Sequence, residues 1–347
     1  MTPAAAAVAA PAAEFCEGVR VSAPGRLHLG FLDPGASLGR RFGSLGLVVE
    51  GLETRLELTR AARQAVTGAP GLDPAEIDRA AAHLAALQAA TGLARPLHLA
   101  LSRLLPAHAG LGSGTQLALA VGTAFARLHG LALPAAQVAQ MLHRGLRSGV
   151  GIAGFERGGL LLDGGPQGDG RPAAVTSRLE LPARWRVLLA LDPARRGLSG
   201  AQEKQALATL PPFPRGLAAE LCHRVVMQIL PGAAAGDFKL FAEGLNRMQA
   251  LLGAYFAPAQ GGRAYTSPLV DGLMTWIAAH GDAAVGQSSW GPAGFAVVPS
   301  AEAALALLQA ARAAGAVAPG LQLQLVQARN RGADVEILAA PAAAACA

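Results

Sequence analysis

The chain has 347 residues, 52% of them hydrophobic, which suffices for two domains or one large domain with a substantial core. No apolar run reaches the ~18 residues that a membrane-spanning helix requires, so we expect no membrane partner. The formal net charge is +6, yet aromatic residues are few and no dense basic run occurs, which argues against a nucleic-acid partner. Nearly all basic residues are Arg, which reflects either a GC-rich genome or a polyanionic small substrate, because Arg binds phosphate and carboxylate with paired hydrogen bonds.

The N-terminal segment and the cysteines do not indicate a secreted protein. Residues 1–14 are rich in Ala and Pro and hold no Lys or Arg, so they predict a disordered tail rather than a secretory signal, which needs a basic start. Cys16, Cys222 and Cys346 are scattered and odd in number, and predict neither a disulfide framework nor a metal site. We therefore expect a cytoplasmic protein.

The pattern of apolar and turn-forming residues predicts an α+β protein. In chain order, strands are predicted over 19–32 with a break at Pro24-Gly25, and over 43–49, 54–59, 97–101, 159–162 and 185–191. Helices are predicted over 74–91 with Asp73 as N-cap, over 117–126 and over 134–146. After residue 192, helices are predicted over 200–210, 216–230, 237–252, 267–280 and 301–314, and strands over 294–298, 321–327 and 334–338. We expect two lobes with a cleft between them and a linker near 164–182.

The most informative motif is the glycine-rich run 106–116, which precedes the helix predicted over 117–126. Glycines at 110, 112 and 114 let the backbone approach an anion, and the helix start adds amide groups and partial positive charge. No Gly-Lys-Ser/Thr ends the run, so it is not a P-loop. A plain glycine turn is the alternative, but the alternation with Ser113, Thr115 and Gln116 favours phosphate binding.

Four further motifs suit an anionic or aromatic ligand. In the first strand, Arg26 and His28 share a face that belongs either to a binding site or to a solvated edge. Trp290 lies between glycines and suits stacking on a flat ring, or else is a core Trp beside a turn. The remaining polar candidates are Arg40, Arg41 and Ser44 within 39–46, which a surface loop would also explain; Arg147, Ser148 and Glu156 within 144–159, followed by Asp163; and Gln287, Ser288 and Ser289 before Trp290.

The order of these motifs resembles the GHMP kinase superfamily, whose three motifs correspond to Pro24-Gly-Arg, the 110–116 loop and the segment 286–294. Within it, the chain is most similar to the β-ribofuranosylaminobenzene 5′-phosphate synthase family. That family shares the segments 26–31, 39–46, 110–116, 147–155 and 286–292, and the match covers most of 19–340. The resemblance implies a two-lobed GHMP-kinase-like α+β fold. It has a ribosomal-S5-like N-terminal lobe over 19–180, a ferredoxin-like C-terminal lobe over 181–340, and tails at 1–18 and 341–347.

The resemblance also implies an activity. In that family 4-aminobenzoate reacts with phosphoribosyl pyrophosphate and loses CO₂ and pyrophosphate, during tetrahydromethanopterin biosynthesis. The enzyme is homodimeric and requires Mg²⁺ but not ATP. We expect the pyrophosphate to lie on the 110–116 loop, Arg26 helped by His28 to orient the carboxylate, and Trp290 to stack on the arene.

The expected roles cover all five motifs. The catalytic candidates are Arg26, His28 and Arg147, and the candidate Mg²⁺ ligands are Ser113, Glu156 and Asp163. The substrate-binding candidates are Arg40, Arg41, Ser44, Gly110, Gly112, Ser113, Gly114, Thr115, Gln116, Ser148, Gln287, Ser288, Ser289 and Trp290.

Two other functions remain open. A GHMP-type small-molecule kinase would carry Gly-Leu-Gly-Ser-Ser-Ala, from which the loop departs at 114–116, and neither Lys204 nor Lys239 lies in a motif. A non-catalytic nucleotide-binding regulator would need neither the Arg26/His28 pair nor the Trp290 segment.

Overall fold

The computed structural model describes residues 16–167, 171–198 and 200–339. Residues 1–15 of the predicted N-terminal tail, the C-terminal tail with Cys346, and part of the predicted linker lie outside these ranges. Among the described residues, no helix is both long and apolar enough to cross a membrane.

Strands and helices follow one another in an α+β order. The strands are β1 (Cys16–Asp33), β2 (Phe42–Arg60), β3 (Ala65–Gly68), β4 (Leu97–Arg103), β5 (Leu160–Asp163), β6 (Val175–Leu179), β7 (Arg186–Leu191), β8 (Ala284–Gln287), β9 (Ala293–Val298), β10 (Gln322–Val326) and β11 (Asp334–Ala339). The helices are α1 (Pro74–Thr91), α2 (Ser113–Leu128), α3 (Ala135–Met141), α4 (Val150–Arg157), α5 (Gly200–Thr209), α6 (Arg215–Arg224), α7 (Leu230–Ala235), α8 (Phe238–Phe256), α9 (Pro268–His280) and α10 (Ala301–Ala313).

The strands form two sheets, which confirms the predicted two-lobed α+β fold. The first sheet has the order β11-β1-β2-β4-β3, with β5 paired to the first part of β2 and β6 paired to β5. The second has the antiparallel order β10-β7-β9-β8. The last described strand, β11, therefore returns to the first sheet, where its Ala339 is the register partner of Cys16.

The two long strands β1 and β2 differ from the prediction. The break expected at Pro24-Gly25 is instead a bulge, with a register shift between Pro24 and Arg26, and pairing continues beyond it. A bulge suits this position because proline has no amide hydrogen to donate to a neighbouring strand. The segments predicted over 43–49 and 54–59 are one strand, β2, with Gly51 at φ 77° between them.

Strand β1 contributes to two cores. Before the bulge, Val19 and Val21 pack with α1 and α2. After it, Leu27 and Leu29 belong to a cluster that includes Leu189 of the second sheet and residues of α6 and α8. The polar face of β1 after the bulge consequently lies near the junction of the two lobes.

The helices follow the prediction where local signals are strong. Helix α1 has the predicted bounds, and the Asp73 carboxylate accepts the Ala75 amide at 3.0 Å. The helix predicted over 134–146 ends at Met141, because His143 and Gly145 adopt φ of 54° and 76°. The helix predicted over 216–230 passes through a π-helical turn at Val225–Ile229, and α4 was not predicted at all.

Candidate active site at the glycine loop

The glycine loop ends at the first turn of α2. Gly112 is the N-cap residue at φ 80° and its carbonyl accepts the amides of Thr115 and Gln116. The amides of Ser113 and Gly114 are left without an intrahelical partner, as expected for a helix start. Four residues predicted to precede the helix thus form its first turn, and two of their amides are available to an anion.

Three of the predicted motifs meet at this loop. The Arg26 side chain donates to the Gly110 carbonyl at 2.7 Å and its backbone amide donates to the Leu111 carbonyl at 3.0 Å. The Ser288 hydroxyl donates to the same Gly110 carbonyl at 2.7 Å and accepts the His28 amide at 2.9 Å. Residues 26–28, 110–112 and 288–289 therefore form one hydrogen-bonded junction between the lobes.

Glycine is required at this junction partly for packing. A Cβ on Gly110 would lie 2.1 Å from the Ser288 carbonyl oxygen, and one on Gly291 would lie 2.3 Å from the Ala109 carbonyl. Gly110 and Gly291 thus allow the backbones of their two loops to pack against each other. Gly112 faces a side chain instead of a backbone. A Cβ on Gly112 would lie 3.1 Å from Cζ of the Arg26 guanidinium group.

Arg26 and His28 carry different charges at neutral pH. Burial lowers the pKa of Arg26 to about 10, opposed by the nearby Glu203 carboxylate, so Arg26 remains a cation. Burial, and then the charges of Arg26 and Arg147, lower the pKa of His28 to about 3. His28 is thus a neutral hydrogen-bonding group beside the Arg26 cation.

His28 also carries an unused polar atom. Its side chain is 4% exposed, and its Nε2 has no hydrogen-bond partner among the described residues. The ring packs edge-on against Phe31, with centroids 4.5 Å apart. A buried unpaired nitrogen is costly, so this atom is suited to a ligand.

Glu203 lies near Arg26 and Arg147, and its sequence position did not predict a role at the site. Its carboxylate accepts Arg147 at 2.6 Å and also acts on the pKa of Arg26. Nη1 of Arg147 is buried without a partner among the described residues. Glu203 lies on α5, outside every motif, and only the fold brings it to residues 26 and 147.

Asp163, Ser44 and Ser148 form one hydrogen-bonded cluster. Asp163 is 1% exposed and its Oδ2 accepts the Ser44 hydroxyl at 2.6 Å and the Gly149 amide at 2.8 Å. Oδ2 also accepts the Ser148 hydroxyl at 3.1 Å, and Oδ1 accepts the Gly165 amide at 2.8 Å. The carboxylate is occupied by these donors, so the expectation that Asp163 binds a metal is corrected.

The three candidate Mg²⁺ ligands do not converge. Glu156 is exposed at the end of α4 and lines a separate hollow with Gln137 and Arg157, whereas Ser113 begins α2. The described part of the chain holds no group of three or more His, Cys, Asp or Glu residues that could bind a metal ion. These residues therefore do not fit a protein-held Mg²⁺.

Other predicted residues make hydrogen bonds within the protein, and two of them, Gln287 and Ser289, also line a cavity described below. Gln116 is fully buried and donates to the Gly151 carbonyl at 2.9 Å. Gln287 accepts the Thr266 amide at 2.6 Å and donates to the Ser289 carbonyl at 2.8 Å. Arg40 and Arg41 are exposed on a turn and contact the carbonyls of Gly164 at 3.5 Å and Pro34 at 3.0 Å, respectively. The contacts of Gln287, Arg40 and Arg41 do not involve the glycine loop.

An apolar cavity of about 420 Å³ opens beside the junction, a size typical of a small-molecule site. Its walls include His28, Phe31, Phe256, Tyr265 and Trp290. Trp290 is 4% exposed and packs edge-on against Phe256 at 4.8 Å. The cavity thus offers aromatic walls to a flat ring, and its wall at His28 is two residues along β1 from Arg26.

This fold and site define the chain as a member of the GHMP kinase superfamily. The models of the GHMP kinase N-terminal and C-terminal domains match residues 77–159 and 229–317. The homoserine kinase of Cytophaga hutchinsonii has the same fold, with a TM-score of 0.65 at 18% identity over 92% of this chain and 98% of that chain. The mevalonate diphosphate decarboxylase of Staphylococcus aureus has a TM-score of 0.65 at 12% identity, over 93% of this chain and 99% of that one.

Within the superfamily, the chain belongs to the β-ribofuranosylphenol 5′-phosphate synthase family. The protein of that name from Archaeoglobus fulgidus is 34% identical over 67% of this chain and 76% of its own length. Its namesake from Methanothermobacter thermautotrophicus is 28% identical over 90% of this chain and 97% of its own length.

Proposed function

We propose that this protein is a decarboxylating phosphoribosyltransferase that joins 4-aminobenzoate to phosphoribosyl pyrophosphate, with release of CO₂ and pyrophosphate. The observation that carries the proposal is that Arg26 contacts the glycine loop before α2, while His28, two residues further along β1, lines the aromatic-walled cavity. We further propose a homodimeric cytoplasmic enzyme of tetrahydromethanopterin biosynthesis.

The relatives' name supports a C-riboside product and adds a second acid to consider. A ribofuranosylphenol would arise from 4-hydroxybenzoate, and a ribofuranosylaminobenzene from 4-aminobenzoate. Both acids pair a carboxylate with an electron-donating group across a flat ring. The same cavity and the same arginine suit either one.

The reaction balances without an external oxidant or reductant. The bond between the anomeric carbon and pyrophosphate breaks, and the pyrophosphate keeps the electron pair. The ring carbon that bears the carboxylate then bonds to the anomeric carbon. The bond to CO₂ breaks last, and its electron pair restores the aromatic ring.

The chain's residues have distinct parts in this scheme. Arg26 binds the carboxylate and holds the ring carbon towards the sugar, and the start of α2 binds the pyrophosphate as negative charge develops on it. His28 supplies a neutral hydrogen bond beside the ring. Trp290 and Phe256 exclude water from the arene.

Mg²⁺ is proposed only as a companion of the pyrophosphate, since this ion is commonly bound through substrate phosphates and water. The predicted ligands Ser113, Glu156 and Asp163 do not form a site for the ion. ATP is not expected to be needed.

The test is an assay with either acid labelled in its carboxyl group, together with phosphoribosyl pyrophosphate and Mg²⁺. We expect labelled CO₂ and pyrophosphate in equal amounts, and only when the sugar phosphate is present. Absence of label release from both acids, with ATP-dependent phosphorylation of an alcohol instead, would favour the kinase.

A further inference from the structure

A second pair of arginines lies beside the same glycine loop. The Nη1 atoms of Arg144 and Arg79 are 3.6 and 3.9 Å from the position that a Cβ on Gly114 would take. Arg79 belongs to α1 and Arg144 follows α3. Two separate elements thus bring guanidinium groups to the second residue of α2.

The charge of this pair is only partly balanced. Glu76, 6% exposed at its side chain, pairs with Arg79 at 2.8 Å and is the carboxylate that acts on Arg144. Burial, and then the charge of Arg79, lower the pKa of Arg144. Two arginines against one carboxylate leave a net positive charge beside the two open amides of α2.

Two buried nitrogen atoms in this cluster lack partners. Nε of Arg144 and Nε2 of His83 have no hydrogen-bond partner among the described residues, and His83 is 8% exposed. Burial, then Arg144 and Arg79, lower the pKa of His83 to about 4, so it does not add a charge at neutral pH. Buried donors of this kind are usually satisfied, and a bound ligand would satisfy them.

The cluster mirrors the one around Arg26 on the other side of the loop. Each holds two arginines, one carboxylate and a neutral histidine with an unpaired Nε2. Arg26 faces Gly112, whereas Arg79 and Arg144 face Gly114. Two cationic clusters therefore contact the region where the loop meets α2.

We propose that Arg79 and Arg144, with the amides of Ser113 and Gly114, form a subsite for a diphosphate group. The assignment of that diphosphate to phosphoribosyl pyrophosphate rests on the proposed function. A diphosphate carries several charged oxygens, which two guanidinium forks and a helix start can bind together. A separate hollow of about 290 Å³ is lined by Asp73, Asp192 and Glu76, the last being the carboxylate that pairs with Arg79.

The test is calorimetric titration of the full chain with inorganic pyrophosphate. Arg144→Gln and Arg79→Gln should each weaken binding by about tenfold or more, because each removes charge-assisted hydrogen bonds. Arg144→Lys retains the charge but not the fork and should recover part of the loss. Arg127→Gln is the matched control, an exposed arginine at the far end of α2, about 20 Å away.

Thermal unfolding of each variant identifies any that fail to fold. If Arg79→Gln does not fold, Arg144→Lys still tests the subsite. Pyrophosphate binding within about twofold of the parent in folded Arg144→Gln, or equal loss in Arg127→Gln, would overturn the subsite. So would a parent chain that binds no pyrophosphate. Displacement of bound pyrophosphate by ADP but not by phosphoribosyl pyrophosphate would overturn the assignment of its source. Arginine-dependent binding in a chain that releases no CO₂ would leave the subsite standing and count against the proposed function alone.

Discussion

At the scale of single residues, the proposed role of Arg26 requires two contacts from one guanidinium group. Nη1 donates to the Gly110 carbonyl, and Nε is buried without a partner among the described residues. One edge of the group therefore holds the loop, and the remaining donors are available to a substrate carboxylate. Lysine has one ammonium group and cannot serve both contacts in the same geometry.

We expect Arg26→Ala and Arg26→Lys to raise KM for the benzoate by about tenfold or more, because a charge-assisted hydrogen bond is lost. KM for phosphoribosyl pyrophosphate should change by less than about threefold. Steady-state kinetics with each substrate varied in turn measures both values. Equal increases in the two constants would mean that Arg26 does not bind the carboxylate.

His28 makes stability depend on pH in a defined direction. Its pKa is about 3 in the folded chain against an ordinary 6.5, so its contribution is complete above pH 6.5 and declines as the pH falls towards 3. The free energy of unfolding should fall by up to about 1.4 kcal/mol for each pH unit in this range. The charges of Arg26 and Arg147 act on His28, and the Glu203 carboxylate acts on Arg26. His83 adds a similar dependence of stability on pH down to about pH 4.

Urea unfolding of the parent and of His28→Asn between pH 7 and 4 measures this contribution. The variant should lose less stability than the parent over the same range. Parallel curves for the two proteins would show that His28 is not held neutral by its surroundings.

At the scale of elements, one carboxylate ties together β2, β5 and the start of α4. Asp163 ends β5 and accepts hydrogen bonds from Ser44 on β2 and from the Gly149 amide just before α4. We expect Asp163→Asn to lower the free energy of unfolding by at least about 2 kcal/mol, because buried donors lose a charged acceptor.

Glu156→Gln is the control, since it changes an exposed member of the same predicted ligand set. It should leave stability within about 0.5 kcal/mol of the parent. Neither substitution should alter the Mg²⁺ concentration needed for half-maximal activity. A folded Asp163→Asn variant of normal stability that needs more Mg²⁺ would return Asp163 to a metal role.

Elements with local signals were predictable, and those that depend on distant contacts were not. Asp73 followed by Pro74 marks the start of α1, and the glycine alternation marks the phosphate loop. Glu203 reaches Arg147 across 56 positions of sequence, and no spacing rule anticipates such a contact. The sequence shows a carboxylate at the end of a strand, at Asp163. Only the folded structure shows that its two oxygens already accept hydrogen bonds from the protein.

At the scale of the whole molecule, the lobes share one of their cores. Leu29 is 1% exposed in the cluster that joins β1 to the second sheet and to α8. We expect calorimetry to give a single unfolding transition, because neither lobe keeps its apolar surface covered without the other.

Leu29→Ala should lower that transition as a whole, at a cost of about 3 kcal/mol. Leu269→Ala, at an exposed position on α9, should cost less than about 0.5 kcal/mol. Two separate transitions, of which Leu29→Ala shifts one, would indicate lobes that unfold independently.

The pairing of β11 with β1 affects how the chain acquires its fold during synthesis. Cys16 and Ala339 are register partners at one edge of the first sheet, so strands from opposite ends of the described chain lie side by side. A ribosome delivers β1 early, and its outer edge stays uncovered until β11 emerges more than 300 residues later. Completion of the first sheet therefore waits for the synthesis of β11, and until then the outer edge of β1 is open to pairing with another chain.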